Sequence, residues 1–256
     1  MKQIRGPLAL LIAALALLPS IALSALQVER QVTGAQTNCY LLYDPLSKDA
    51  VLFDVGGPIE LLLSEISTRK LTLRYIVFTH GHPDHCIGLP AIRDSFPEAK
   101  ICIHQKDFDN MKIFNKWARE FWPPELVAEW EEDPVMSKIV AFDESTFGIP
   151  DIYIKDGQRL TLGNLELVAI HSPGHSPGSV CFRVDGFLFS GDVLFKGNVG
   201  RVDLLDGSKD AQVRSVRNLY TLLPDSIRVY PGHGEETTIG YEKQNNKSIT
   251  IDRVTF

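Results

Sequence analysis

Between residues 50 and 230 the chain alternates short apolar runs with stretches of helical periodicity. Val51-Leu52-Phe53-Asp54-Val55 has the continuous apolar character of a buried strand and ends in Gly56-Gly57-Pro58. Ile59 to Ser67 then carries apolar residues at helical spacing, with Pro58 near the start, where a missing N–H costs nothing. Leu73 to Thr79 reads as a strand, Pro90 to Phe96 as a helix and Ala99 to His104 as a further strand. Leu160 to Ile170 reads as a hairpin turning at Gly163-Asn164, and a second hairpin joins Ser179–Val184 to Phe187–Ser190 around Asp185-Gly186. Ala211 to Leu223 is amphipathic and helical, and Ile227 to Tyr230 is the last clear strand. A β-rich half followed by a helix, twice over, predicts an α+β fold in which two sheets pack together and helices flank them.

One stretch breaks the rhythm. Residues 107–150 hold Phe108, Phe114, Trp117, Phe121, Trp122, Trp130, Phe142 and Phe147, and thus all three tryptophans of the chain. Lys112–Phe121 and Glu125–Glu132 have helical patterns separated by Pro123-Pro124. Two roles stay open for this aromatic-rich insertion: packing on the domain, or forming a lid or wall of a substrate pocket.

The N-terminus differs in kind. Lys2 and Arg5 precede the apolar run Leu8–Leu18, and small residues in Ala22-Leu23-Ser24-Ala25 suit cleavage after Ser24. Residues 1–24 are therefore expected to be a signal peptide, with an uncleaved anchor as the alternative, and residues 25–256 to form the exported domain, periplasmic or secreted. A membrane partner is expected only if that segment is retained. The net charge of −6 leaves no basic footprint, which argues against nucleic acid as a partner and for a small-molecule substrate. The four cysteines form no CxxC pair; Cys39, Cys102 and Cys181 sit in apolar runs and read as buried, inert thiols, whereas Cys86 follows a candidate ligand directly.

The chemistry lies where the apolar segments end. Thr79-His80-Gly81-His82-Pro83-Asp84-His85 follows one strand, and His175, Asp192 and His233 each sit in a short Gly-containing turn near another. Five of the seven histidines fall in these places. Imidazole nitrogen and carboxylate oxygen suit Zn²⁺, and also Fe or Mn. His80 and His82, two residues apart, can address one ion together with His175. Asp84 and His85 turn to the other side and meet His233, while Asp192 can bridge. Asp84 and Asp192 are the carboxylates expected at the reacting centre. Two divalent ions with an open position would acidify a water and polarise a carbonyl, so no serine or cysteine nucleophile is required. Asp54, at a strand end, is expected either to support a ligand histidine or to cap a turn. His171 is expected to brace the Pro-Gly-His turn, and His104 to lie at a surface or sheet edge.

These motifs, together with Thr37-Asn38-Cys39-Tyr40, Ser172 to Ser179, Phe189 to Phe195 and Pro231-Gly232-His233-Gly234, resemble those of the metallo-β-lactamase-fold hydrolases, and within them the glyoxalase II (hydroxyacylglutathione hydrolase)-like branch. The resemblance covers roughly Gln27 to Asn246. It implies an αβ/βα four-layer sandwich and assigns His80, His82 and His175 to one metal, Asp84, His85 and His233 to the second, and Asp192 to both. It also implies cleavage of a thioester or ester. The chain departs from glyoxalase II in two respects. It ends 23 residues past His233, without the C-terminal helical domain that helps bind glutathione, and Asp203 and Glu235 stand where that branch has glutathione-contacting tyrosines. Arg201 matches a basic position nine residues after Asp192 and is expected either to hold a substrate carboxylate or amide, or to form a surface ion pair. A β-lactamase is disfavoured, because resembling enzymes of that class lack the bridging aspartate. A lactonase with the same ligand set remains as an alternative, as does a persulfide dioxygenase with one iron on residues like His80, His175 and Asp192.

Overall fold

The computed structural model of the protein describes residues 26–255. The expected signal peptide therefore lies outside the described residues; among those described, no helix is long and apolar enough to cross a membrane.

Two six-stranded sheets form the centre of the fold. The first runs in chain order through β1 (Gln27–Thr33), β2 (Thr37–Tyr43), β3 (Asp49–Phe53), β4 (Thr72–Val77), β5 (Lys100–His104) and β6 (Ile152–Ile154). Its first three strands are antiparallel, joined by tight connections, and β3 to β6 are parallel. Parallel neighbours need crossovers, and the helices α1 (Glu60–Arg69), α2 (Pro83–Cys86), α3 (Leu89–Arg93), α4 (Gln105–Phe121), α5 (Pro124–Glu132) and α6 (Met136–Val140) lie in those connections. The second sheet has the order β12-β11-β10-β9-β8-β7, with β7 (Arg159–Leu162), β8 (Leu165–His171), β9 (Val180–Val184), β10 (Phe187–Gly191), β11 (Arg228–Pro231) and β12 (Thr237–Thr238). It is antiparallel except where β10 meets β11, the pair connected through α7 (Lys209–Leu222). After β12 comes α8 (Ile239–Asn245).

The period-2 alternation of β2 decides what it packs against. Cys39, Leu41 and Tyr43 join the core beneath α1 and α3, while Tyr40 and Leu42 face the other sheet. The inter-sheet core is aromatic: Phe53 of β3 stacks on Phe189 of β10 with centroids 4.0 Å apart and planes inclined by 10°. On the outer face of the second sheet, Cys181, Leu188 and Val229 pack under Val216, Leu219 and Tyr220 of α7 and Ile239 of α8. Helix, sheet, sheet and helix make the four layers of an αβ/βα sandwich.

Three boundaries differ from the sequence expectation in ways that matter for the site. The strand expected to reach Thr79 ends at Val77, because the Thr79 N–H donates to the Asp54 side chain at 2.8 Å. The segment after His82 is a helical turn, α2, with Pro83 at its first position. Helix α4 begins at Gln105, directly after β5, with His104 Nδ1 accepting from Lys106 N–H as a cap. Its first turn buries Asp107, a charge on an inward face that masks the helical pattern.

Candidate metal centre

His80 and His82 follow the end of β4, Asp84 and His85 project from α2, His175 sits in the turn from β8 to β9, and Asp192 and His233 follow β10 and β11. The fold brings all seven side chains together. One ligand atom each from His80, His82 and His175 lie within 4.8 Å of one another; so do those of Asp84, His85 and His233, and those of His80, His85 and Asp192. The two oxygens of Asp192 face different rings, Oδ1 lying 3.5 Å from His85 Nε2 and Oδ2 3.5 Å from both His175 Nε2 and His233 Nε2.

The outer nitrogens of four rings are engaged, and their partners fix the tautomers. His175 Nδ1 donates to the Arg201 carbonyl at 2.8 Å, and His233 Nδ1 to the Gln36 carbonyl at 2.9 Å. His85 Nδ1 donates to Asp54 Oδ2 at 2.9 Å. Thr79 gives its own hydroxyl proton to Asp54, so its oxygen accepts from His80 Nδ1 at 3.1 Å. Each ring, when neutral, carries its lone pair on Nε2, turned inward. The Nε2 atoms approach closely: His80 Nε2 faces His175 Nε2 at 3.2 Å, and His85 Nε2 faces His233 Nε2 at 3.3 Å. Asp192 Oδ1 is buried without a hydrogen-bond partner. Crowded inward nitrogens and a buried carboxylate oxygen without a hydrogen-bond partner fit a divalent cation.

Electrostatics point the same way. Burial, reinforced by the neighbouring imidazoles, holds His80 well below the ordinary histidine range; burial and then His175 do the same for His82. Both are thus neutral, the form in which an imidazole can take a metal. Burial pulls His85 down too, but Asp84, Asp192 and Asp54 outweigh it and lift its pKa to about 10. Burial raises Asp84, yet His85 and His233 hold its carboxyl well below the usual range. Three carboxylates around one imidazole attract positive charge, as a proton or as a metal ion. Gly232 permits this approach, since a Cβ there would run into Asp192 Oδ1.

The comparisons with known proteins agree with this architecture. Residues 32–233 match the model of the metallo-β-lactamase superfamily. The chain belongs to that superfamily. It is 31% identical over 225 residues to the hydroxyacylglutathione hydrolase GloC of Haemophilus influenzae, covering 84% of this chain and 93% of that protein. Among solved structures it is similar to BLEG-1, a B3 metallo-β-lactamase, with a TM-score of 0.69 and 33% identity over 86% of this chain and 98% of the other. It is also similar to TTHA1623 in a di-iron-bound form, with a TM-score of 0.59 and 28% identity over 89% of this chain and 96% of the other.

The supporting residues divide into those expected and those missed. Asp54 sits at a positive φ of 54° and accepts from Thr79 N–H, Thr79 Oγ1 and His85 Nδ1, so its carboxylate orients a candidate ligand rather than capping a turn. His171 Nε2 donates to the Pro177 carbonyl at 3.0 Å and so braces the turn holding His175. His104 stacks on His171 with centroids 4.3 Å apart. All four cysteines are free and buried, and the Cys86 thiol lies against the His80 carbonyl at 3.7 Å. Arg201 pairs with Asp203 through two bonds of 2.7 and 2.8 Å, and its guanidinium lies 5.2 Å from the Trp122 ring centre.

Asp107 and Gln212 were not legible as site residues. Asp107 is buried and accepts from Gly81 N–H at 2.9 Å, from Gly178 N–H at 2.5 Å and from Ser176 Oγ at 2.6 Å. It thereby ties the loop of His80 and His82 to the loop of His175. Gln212 of α7 accepts from His175 N–H at 2.9 Å and donates to the Val193 carbonyl at 2.7 Å, joining that loop to the one after Asp192. The one signal in the sequence is a polar residue on the inward face of a helix.

A cavity of about 450 Å³ opens over the centre, with His82, Asp84, His175, Asp192 and His233 among its lining residues. Much of its wall comes from the aromatic-rich insertion, with Ala35, Phe195, Arg201 and Leu204 completing it. A larger cavity, about 780 Å³, lies on the other face of α6 and is lined by none of the seven side chains.

Proposed function

We propose that the protein is an exported, binuclear metal-dependent hydrolase of esters or thioesters. The observation that carries this is the set of inward Nε2 atoms gathered about the two oxygens of Asp192, one of which, Oδ1, is buried without a hydrogen-bond partner. His80, His82 and His175 would hold one ion, Asp84, His85 and His233 the other, and Asp192 both. When bound, such cations supply Lewis acidity and lower the pKa of water. Zinc suits the donor set, and iron or manganese are also accommodated.

The chain's own groups define the rest. Asp54, through Thr79 and His85, fixes two rings at once; Asp107 and Gln212 hold the three ligand loops in register. Asp84 and Asp192 place negative charge at the floor of the cavity, where a small-molecule carbonyl would enter from the aromatic side. Support for binuclear hydrolysis over one-iron oxygen chemistry comes from the second group, Asp84, His85 and His233, which a single site on His80, His175 and Asp192 would leave without a role. The similarity to hydroxyacylglutathione hydrolase supports a thioester, and that to a B3 metallo-β-lactamase makes a β-lactam the second substrate to try. A lactone, as a cyclic ester, would suit the same geometry. The basic start, apolar run and small residues of residues 1–24 support export.

The test is metal content per chain of the purified protein lacking residues 1–24, together with turnover of S-lactoylglutathione, a chromogenic cephalosporin and an acyl-homoserine lactone. Two metals with turnover of the thioester or the lactone is the expected result; turnover of the cephalosporin alone would replace the ester or thioester with a β-lactam amide. One iron per chain, with oxygen consumed on glutathione persulfide, would replace the hydrolase with a dioxygenase.

A further inference from the structure

The wall of the cavity above the candidate metal centre is apolar almost throughout. Phe114, Trp122, Trp130, Met136, Ile139 and Val140, from α4, α5 and α6, line it opposite the ligands. Phe114 begins this wall directly at the centre, its ring 5.1 Å from that of His82. Trp122 and Trp130 continue it edge to face at 5.5 Å. Arg201 is the cation among the lining residues, and its guanidinium is already paired with Asp203 through two hydrogen bonds and stacked on Trp122. An anionic leaving group such as glutathione would have to break that pair or go unmatched. Large side chains that stay partly exposed toward a cavity are poorly explained by packing alone, whereas an apolar ligand would complete their burial.

We propose that the substrate is an ester or thioester carrying an apolar limb of several carbons next to the scissile carbonyl, and that the insertion is its specificity wall. The proposal rests on the hydrolase reading above and names its substrate class. The reaction balances as simple hydrolysis: water adds, the acyl C–O or C–S bond breaks, and the acid and the alcohol or thiol leave. The limb lies along Phe114, Ile139 and Val140 toward Trp122 and Trp130 while the carbonyl sits over the ligands. A cavity of about 450 Å³ is within the usual range for a small-molecule site.

The three tryptophans of the chain lie in α4, α5 and the turn between them, so intrinsic fluorescence reports on this wall without any need for turnover. The experiment titrates the metal-loaded protein with straight-chain carboxylates and alcohols from four to ten carbons and with glutathione. Alongside, kcat/KM is measured for acyl thioesters of N-acetylcysteamine from acetyl to decanoyl and for acetate esters from methyl to decyl. The expected result is a fluorescence change whose Kd tightens roughly three- to fourfold per methylene, with the same slope in kcat/KM for one of the two series, which identifies the limb as acyl or alcohol. Trp130→Ala and Ile139→Asn should each lower the ratio of longest- to shortest-chain kcat/KM several-fold. Flat dependence on chain length in binding and in both series, or S-lactoylglutathione turned over faster than every chain tested, overturns the proposal. Chain-length-dependent binding with no hydrolysis of any ester, thioester, lactone or β-lactam would keep the apolar wall and sink the hydrolase reading instead.

Discussion

Asp54 and His85 are joined by a buried hydrogen bond of 2.9 Å, from His85 Nδ1 to Asp54 Oδ2, and the same carboxylate takes both the N–H and the hydroxyl of Thr79. One acid at the end of β3 thus orients two imidazoles, His85 directly and His80 through Thr79. Outer partners of this type set the tautomer and basicity of a ligand. Asp54→Asn should therefore lower zinc affinity by about 10- to 100-fold, as read by competition with a chromophoric chelator. An unchanged affinity would show that His85 is held by packing alone.

Asp107 makes its three hydrogen bonds in a buried position between two ligand loops, and burial raises its pKa even though Ser176, Gly81 and Gly178 oppose the shift. An amide in its place turns an N–H₂ toward these donors. Asp107→Asn should destabilise the protein by about 1–3 kcal/mol in urea unfolding, and weaken metal binding as well, since both loops lose their shared anchor. A variant that loses stability but binds zinc normally would confine Asp107 to a structural role.

Asp192 predicts effects of different size with and without metal. In the metal-free protein Asp192→Ala removes a carboxylate oxygen without a hydrogen-bond partner but also a charge that favours protonated His85, so Tm should fall only modestly. With zinc at 100 times the wild-type Kd, the wild type gains about 2.7 kcal/mol of stability, and the variant should lose most of that gain and nearly all turnover. Thermal melts with and without a chelator, on both proteins, decide it.

The thiols make a prediction for alkaline pH. Burial pushes Cys39 up to about 11, with nearby Asp54 and Asp84 adding to the shift, and Cys181 up to about 12, against an ordinary value of 9.0. The unfolded chain releases these protons near pH 9.0 and the folded protein only later, so folding retains protons over that window. This contribution is fully present below pH 9.0 and is lost as the pH rises from there toward 11 and 12. Urea midpoints should fall across that range, and a thiol reagent at pH 8 should label none of the four cysteines until the protein is unfolded. Rapid labelling of the native protein would contradict their burial.

The aromatic stack between the sheets offers a test of the scaffold. Phe53 is buried against Phe189 on one side and Phe182, with centroids 5.8 Å apart, on another. Phe53→Ala should cost about 3–5 kcal/mol. Because Asp54 follows it directly, metal affinity should fall in parallel if the strand end shifts; measuring both separates the core from the site.

Much of this protein is determined by its sequence alone. Strand periodicity, hairpin turns at Gly163-Asn164 and Asp185-Gly186, and seven ligand-type side chains in the segments that follow strands are local features, set by residue chemistry within a few positions. Only the tertiary structure decided what depends on distant segments meeting. Asp54 has two readings until Thr79 and His85 lie beside it; Gln212 reads as an ordinary helix residue, and Asp107, outside the helix expected over Lys112–Phe121, as part of the insertion, until the loops they hold pack on them. The gathering of Trp122 and Trp130 into the wall of the cavity over the candidate centre, with Arg201 beside Trp122, belongs to the same class. A side chain's partners across 20 or more residues follow from how the sheets stack and where the loops cross, and no local pattern encodes that.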